Sequence, residues 1–296
     1  MKIKKMFRDL MLIALLTIGF VSCKENVQQS ASSQQQKSVY DRVISSNKIK
    51  VAYLNYPPAC MKDTKTGKMS GIFVDVLEKA AHNLGMEVEW TEEVGWGSQI
   101  EGLEKDRYDL VGSPVWANPK RGKLTTLSIP VYYSGICAYV RENDNRFAGW
   151  NFKDLSKLNV KEIKVGTIDG ETSDLIAAND FPNATKQSSP ENTDISQKFL
   201  DLNKNSCDVV FAEPYFAYEY TKNNPGKNIR NITSENPVRL FGNVYMMKKN
   251  EWQLKQMLDI AIQDLINSGY VDKVISEYEP SPNLFYRVAS SYKPVK

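Results

Sequence analysis

Two charged side chains lie in segments that follow predicted β-strands, where they can act on a small ligand. Arg121 lies in the segment NPKRGK, after an apolar run at 108–112, and Glu213 follows a second apolar run at 207–212. A guanidinium can donate two parallel hydrogen bonds to a carboxylate, and a carboxylate can accept hydrogen bonds from an ammonium group. By residue type alone, a solvated loop arginine and a helix-capping or surface glutamate are the alternatives.

The other reactive residue types exclude several kinds of site. The chain of 296 residues has a single histidine, His82, so a metal site made of several histidines is impossible. That histidine lies about 120° from the apolar stripe of its predicted helix, which indicates a surface residue and not a catalytic base. Cys60, Cys137 and Cys207 show no CxxC spacing, and whether two of them pair is left open. We expect neither a metal site nor a cofactor.

Composition and charge narrow the class of protein further. Hydrophobic residues make up 42% of the chain, enough for one large core or two smaller ones, which excludes a disordered chain or a disulfide-stapled miniprotein. The 38 basic and 35 acidic residues give a net charge of +3. So small a charge over this length argues against nucleic acid as a partner.

The first residues have the composition of an export signal. Basic residues at positions 2–8 precede an apolar run at 10–21. As a helix this run spans about 18 Å, less than the roughly 30 Å bilayer core, which predicts a cleaved leader. The sequence FVSC at 20–23 resembles the lipobox of bacterial lipoproteins, with phenylalanine where leucine is usual. The resemblance implies lipidation of Cys23, and an ordinary leader with an incidental cysteine is the alternative.

The residues after Cys23 are rich in glutamine and serine and cannot bury enough apolar surface to order themselves, which predicts a flexible tether. Beyond the tether, short apolar runs alternate with amphipathic stretches, as in βαβ construction. We expect Asp75 to cap one helix and Gly85 to end it. Extended segments at 131–141 and 238–248 predict two crossings between two lobes. The predicted divisions are a leader at 1–22, a tether at 23–39, a first lobe at 40–137, a second lobe at 138–242, and a return to the first lobe with closing helices at 243–296.

Several motifs occur in an order that is typical of one family. The first lobe carries IKVAYLNYPPA, GIFVDVLEKAAHNLG and VGWGSQIEGLEKDRYDLVGSPVWANPKRGK. The second carries KVGTIDGETSD and CDVVFAEPYFAYEY, before the tail EWQLKQMLDIAIQDLINSGYVDKVISEYEP. Together these motifs resemble the bacterial extracellular solute-binding proteins, family 3, over about residues 45–280. The resemblance implies an α/β, two-lobed periplasmic-binding-protein-like (type II) fold, with a mostly parallel sheet and flanking helices in each lobe and two crossing hinge segments.

The resemblance also implies roles for individual residues. Arg121 would bind the α-carboxylate of the ligand, and Glu213, where aspartate is more common, would accept from its ammonium group. Trp116 stands where serine or threonine is typical. Whether Glu171 faces the cleft is left open; if it does, a ligand with an extra positive charge is favoured. The further ligand-binding residues that the resemblance implies are Tyr53, Tyr56, Trp96, Ser113, Trp116, Glu171 and Thr172.

We therefore expect a lipid-anchored protein of the cell envelope that faces the periplasm or the exterior. As a monomer without enzymatic activity, it would capture an amino acid or similar small zwitterion and deliver it to an ABC-type permease. One alternative is an enzyme on the same scaffold, similar to cyclohexadienyl dehydratases, with Glu213 or Glu171 as general acid. The other is a ligand-sensing partner of a signalling receptor.

Overall fold

The computed structural model describes residues 38–190, 193–282 and 284–288. The predicted leader, the lipidation site at Cys23 and nearly all of the predicted tether lie outside the described residues. The first element of the described residues is a helix that begins at Val39. No helix in the described part of the chain is long and apolar enough to cross a bilayer.

Helices and strands alternate along the chain, as the sequence predicts. The elements up to the first crossing are α1 Val39–Ser46, β1 Lys48–Tyr53, β2 Met61–Lys62, β3 Met69–Ser70, α2 Ile72–Asn83, β4 Glu87–Glu93, α3 Gln99–Glu104, β5 Leu110–Trp116, α4 Pro119–Leu124, β6 Thr126–Leu127 and β7 Tyr132–Arg141. Two 3₁₀ segments, Asn145–Phe147 and Phe152–Leu158, follow. The later elements are β8 Lys164–Ile168, α5 Thr172–Asp180, β9 Thr185–Ser189, α6 Ser196–Asn203, β10 Val209–Ala212, α7 Pro214–Asn223, β11 Ile229–Asn231, β12 Arg239–Met247, α8 Trp252–Asn267, α9 Tyr270–Tyr278 and β13 Tyr286–Arg287.

Most of the strands form one long sheet in the order β4-β1-β5-β12-β7-β10-β8-β9, with β6 paired to β12 and with β11 and β13 paired to β7. Strands β2 and β3 form a separate two-stranded sheet. At one end β1 pairs in parallel with β4 and β5, and at the other β8 pairs in parallel with β9 and β10. The two parallel groups are the sheets of two lobes, which confirms the predicted two-lobed α/β fold. The antiparallel strands β7 and β12 lie between them.

Strands β7 and β12 form the connection between the lobes. Residues 132–136 of β7 pair with residues 239–243 of β12, and the next residues of β7, 137–139, pair with β10 of the second lobe. The other end of β12, from Asn243 to Met247, pairs with β5 of the first lobe. Each strand therefore passes from one lobe to the other, and a two-stranded ribbon joins the lobes.

Helix α2 begins earlier than predicted. Its first residue is Ile72, so Asp75 lies in the first turn and the prediction that Asp75 caps the helix is wrong. Gly71 precedes the helix with a φ of 121°, and a Cβ atom there would lie 2.5 Å from the carbonyl oxygen of Ala59. Only glycine fits so close an approach, and this turn sets the start of the helix. At the other end Gly85 has a φ of 71°, which confirms the predicted helix end.

Strand β5 is longer than the predicted run at 108–112, because its last residue, Trp116, pairs with Asn243 of β12. Pro114 has no N–H group to donate. It fits because β1 pairs with β5 only at residues 110–111, which leaves one side of the strand free at this point. The residues that follow the predicted run therefore lie on a strand, and Trp116 lies where the strand ends.

The closing helices belong to the core of the first lobe. Leu254, Leu258 and Ile262 of α8 and Ile275 of α9 are fully buried in one cluster with the apolar face of α2. The second lobe has separate clusters around β8 and β10. His82 is exposed on α2, as predicted. Cys60, Cys137 and Cys207, whose pairing the sequence left open, are buried free thiols.

Candidate functional site

A cavity of about 390 Å³ lies between the two lobes, at the carboxyl ends of β1, β5 and β8. This volume falls in the range of small-molecule sites. The first lobe contributes Tyr56, Trp96, Gly97, Ile100, Pro114, Trp116, Asn118, Lys120 and Arg121. The second contributes Asp169, Gly170, Glu171, Thr172, Leu175 and Ile195. Six of the predicted ligand-binding residues therefore lie together, namely Tyr56, Trp96, Trp116, Arg121, Glu171 and Thr172.

Arg121 is held in place by the short helix α4. Asn118 caps this helix by accepting a hydrogen bond from the backbone N–H of Arg121 at 2.9 Å, and Pro119 is its first residue. The guanidinium Nη1 donates to the carbonyl oxygen of Trp116 at 3.0 Å. Burial lowers the pKa of Arg121, but an arginine stays charged throughout the physiological range. One guanidinium donor is thus used to orient the side chain, and among the described residues the others have no partner and are available to a carboxylate.

Aromatic rings form the apolar part of the first-lobe wall. Trp116 stacks on Phe241 of β12, with ring centroids 5.1 Å apart and planes inclined by 10°. Tyr56 meets Trp96 edge to face at 5.8 Å, and it also meets Phe216 of the second lobe at 5.5 Å. Such pairs favour defined ring orientations. The rings therefore present fixed surfaces to the cavity, and the Tyr56–Phe216 contact joins the two lobes.

Glu171 faces the cavity and is paired with a buried lysine. Its carboxylate accepts from the Ser173 backbone N–H at 3.0 Å, from the Ser173 hydroxyl, and from Nζ of Lys198 at 3.0 Å. Lys198 lies on α6, and only 2% of its side chain is exposed. The open question of the direction of Glu171 is therefore answered, but the expected excess of negative charge is largely cancelled by Lys198.

Lys198 was missed by reasoning from sequence. A lysine in a helix is normally a solvated residue, so the residue type by itself predicts a surface position. The sequence does contain one signal for burial. Lys198 adjoins Phe199 and precedes Leu202 by four residues, and this spacing places it near the inward face of α6, where both apolar residues are fully buried. Lys120 and Asp169 also line the cavity without having been predicted. Asp169 directly follows the last residue of β8, as Glu213 directly follows β10, so the same rule could have selected it.

Glu213 does not line the cavity. It precedes α7, its side chain is buried, and its Oε1 atom has no hydrogen-bond partner among the described residues. Burial raises the pKa of Glu213 to about 7; hydrogen bonding with Ser134 opposes the shift, and the nearby charge of Glu171 adds to it. In this conformation, therefore, Glu213 contacts groups of the protein, including Tyr56, and not the cavity.

The raised pKa predicts that stability falls as the pH rises from about 4.5 to about 7. In that range the unfolded chain releases the proton of Glu213 while the folded protein retains it, and above pH 7 both forms are ionised. At about 1.4 kcal/mol per pH unit, the contribution lost is about 3 kcal/mol. Urea unfolding across this range should show a smaller decline for Glu213→Gln than for the wild type. Glu219→Gln, which removes a carboxyl that is ion-paired with Lys222 on the same helix, should keep the wild-type decline. An unchanged decline in Glu213→Gln would contradict the assignment.

Besides Glu213, two more predicted ligand-binding residues, Ser113 and Tyr53, lie outside the cavity lining. The Ser113 hydroxyl accepts from the N–H of Leu54 at 2.6 Å and donates to the carbonyl oxygen of Leu54 at 2.8 Å. The Tyr53 hydroxyl accepts from Nζ of Lys62 at 2.8 Å, and its ring packs edge to face on Trp90. Both side chains are buried and support the end of β1.

Comparison with known proteins agrees with this geometry. Residues 49–280 match the family described as bacterial extracellular solute-binding proteins, family 3. The chain belongs to this family. Among curated relatives, a probable histidine-binding protein of Campylobacter jejuni is 22% identical over 275 residues, which cover 93% of this chain and 99% of that protein. A probable amino-acid ABC transporter-binding protein of Haemophilus influenzae is 33% identical over 100 residues, 34% of this chain and 37% of that protein.

The relatives of this family 3 protein also include an enzyme. A cyclohexadienyl dehydratase of Pseudomonas aeruginosa is 25% identical over 173 residues, which cover 58% of this chain and 62% of the enzyme. Among solved structures, an ancestral amino acid-binding protein described as a precursor of cyclohexadienyl dehydratase has a TM-score of 0.66 at 22% identity. The match covers 82% of this chain and 99% of the ancestral protein. A protein from Wolinella succinogenes, described as a putative binding component of an ABC transporter complexed with lysine, has a TM-score of 0.66 at 17% identity. That match covers 80% of this chain and 97% of the Wolinella chain. The solved structures share the two-lobed fold with this chain.

Proposed function

We propose that this family 3 protein captures an amino acid or similar small zwitterion between its lobes and delivers it to an ABC-type permease. The observation that supports this proposal most directly is the position of Arg121, whose guanidinium lines an amino-acid-sized cavity with donors that no described residue occupies. A bidentate contact to a carboxylate is the strongest interaction that such a group makes. The names of the curated relatives point to the same class of ligand.

Ligand capture would use the ribbon of β7 and β12. These two strands are the connection between the lobes, and hinge closure of two lobes needs few other changes of backbone conformation. A ligand that contacts Arg121 in the first lobe and Glu171 or Thr172 in the second stabilises the closed form, because both sets of contacts exist only when the lobes meet. The closed form is what we expect a permease to recognise. Lipidation of Cys23 and a monomeric state belong to the same proposal.

A dehydratase activity is the second candidate, because one relative is an enzyme and Glu213 has a pKa near neutrality. A general acid must reach the substrate. Glu213 does not line the cavity, and Glu171 is ion-paired with Lys198. The positions of these two carboxyls therefore favour binding without turnover.

A thermal-shift screen of the full-length chain, with detergent present, tests the proposal. A ligand at 100 times its Kd should raise the free energy of unfolding by about 2.7 kcal/mol, or the Tm by about 5–10 °C. We expect at least one standard amino acid to do so. Incubation with prephenate or arogenate should give no product. Turnover of either compound would favour the enzyme, and the absence of any shift with amino acids would refute the proposed ligand class.

A further inference from the structure

The N-terminus of α5 is occupied by the protein's own carboxylate. Glu171 immediately precedes this nine-residue helix and accepts from the backbone N–H and the hydroxyl of Ser173. The N-terminus of a helix is a natural place for an anion, because its N–H groups and its dipole attract negative charge. A carboxylate of the ligand would have to compete with Glu171 for this position.

Lys198 keeps Glu171 in that position. Its Nζ atom donates to Glu171 Oε2 at 3.0 Å, to the carbonyl oxygen of Phe211 at 3.0 Å and to the Ser173 hydroxyl at 3.4 Å. With 2% of its side chain exposed, the lysine is enclosed, and all its donors face groups of the protein. A buried ammonium without a carboxylate beside it is costly, so the ion pair resists displacement.

The contacts of Glu171 leave part of its carboxylate available to the cavity. Within the described residues, its hydrogen bonds to Ser173 and Lys198 all go to Oε2. Its side chain is 23% exposed and lines the cavity beside Asp169, which is exposed and accepts from the Ser188 hydroxyl. The second-lobe wall therefore offers acceptors to a ligand.

The opposite wall carries positive charge. Lys120 and Arg121 of α4 line the first-lobe side of the same cavity. A zwitterion placed between the walls would set its carboxylate towards these cations and its ammonium towards Glu171 and Asp169. A second carboxylate reaching the second lobe would face the carboxylates of Asp169 and Glu171, which offer hydrogen-bond acceptors and no donors.

Building on the proposed function, we propose that the Glu171–Lys198 pair determines the charge class of the ligand. The pair fills the anion position of α5 and turns an acceptor towards the cavity, so that the protein binds amino acids with neutral or cationic side chains and rejects dicarboxylic ones. Glu171 contacts the ligand, and Lys198 acts as a positioning residue.

Isothermal titration calorimetry of the full-length chain in detergent, with the standard amino acids, tests the proposal. The quantity of interest is the affinity of the best neutral or cationic ligand relative to that of L-glutamate and L-aspartate. We expect a ratio of at least 100 for the wild type. Glu171→Thr frees the helix N-terminus and Lys198 for a ligand carboxylate, and it should lower this ratio at least tenfold. Glu171→Thr/Lys198→Met frees only the helix N-terminus, so its ratio should lie between the other two.

Asp174→Asn is the matched control. It removes one acidic charge from the same turn of α5, where Asp174 is ion-paired with Lys186 at 2.6 Å and lies outside the cavity lining. This variant should keep the wild-type ratio; an equal loss of discrimination would overturn the proposal in favour of a net-charge effect. Wild-type binding of glutamate or aspartate as tight as that of any other ligand would overturn the proposal and leave the proposed function intact. If Glu171→Thr does not fold, the test falls to Glu171→Thr/Lys198→Met, and an affinity ratio equal to that of the wild type in this double variant would overturn the proposal. Only a wild type that binds no amino acid would refute the proposed function together with the inference.

Discussion

Replacing Arg121 with alanine is expected to weaken binding of the amino acid ligand by about 2–5 kcal/mol, the usual loss when one partner of a buried charge pair is removed. The guanidinium is oriented towards the cavity by its bond to the Trp116 carbonyl and by the cap at Asn118. It therefore needs little further ordering when a ligand binds. Alanine removes the carboxylate contact and leaves the ligand carboxylate desolvated between the lobes. Calorimetric titration of the ligand identified by the screen measures the loss.

Lys123→Ala is the control for this prediction. Lys123 lies two residues further along α4, is exposed, and does not line the cavity. The Lys123→Ala variant should bind the ligand with wild-type affinity. Without ligand, Arg121→Ala and Lys123→Ala should both unfold cooperatively near the wild-type Tm. If Arg121→Ala binds as tightly as Lys123→Ala, Arg121 is not the carboxylate-binding residue.

Replacing Glu171 should destabilise the protein more than replacing its partner Lys198. Glu171→Gln leaves the Lys198 ammonium enclosed without a counter-charge, and we expect a loss of about 3–5 kcal/mol in the free energy of unfolding. Lys198→Met leaves a carboxylate that is 23% exposed and still bonded to Ser173, so a loss of about 1–3 kcal/mol is expected. The more exposed residue is thus the more costly one to replace. Urea unfolding at pH 7 measures both losses.

The double variant Glu171→Gln/Lys198→Met provides the reference for this comparison. It removes both charges, so its loss should be smaller than the sum of the single losses, as expected for residues in direct contact. Asp174→Asn, whose partner Lys186 is exposed, should change stability by less than about 1 kcal/mol. Equal losses from the two single variants, or additive losses in the double variant, would contradict a fixed buried pair.

Most of the fold was predictable because its signals are local. The apolar runs of β1, β8 and β10 and the stripe of α8 follow from the period of two or about 3.6 residues that a strand or helix requires. The positive φ of Gly85 follows from the residue type. The start of α2 was mispredicted because it depends on a contact between Gly71 and Ala59, twelve residues apart. The length of β5 depends on pairing with β12, which is even more distant along the chain.

The site was predictable to the extent that its residues follow strands. Arg121 and Thr172 were expected in the cleft, the direction of Glu171 was left open, and all three line the cavity. Ser113 and Glu213 follow the same rule, but their side chains are turned towards Leu54 and into the protein. The direction of a side chain at a strand end depends on its neighbours in space. Position in the sequence alone therefore selects candidates and does not rank them.

By itself, the sequence determined the two-lobed α/β architecture and the family, because periodicity and motif order can be read along the chain without knowledge of contacts. Only the tertiary structure decided the charge balance of the cleft. The partner of Glu171 is a lysine 27 positions further along the chain, on a different helix. Lys198 is buried because α6 packs that face against β8 and β10. Desolvation and distance determine whether two charges cancel, and both are set by packing that no local pattern records.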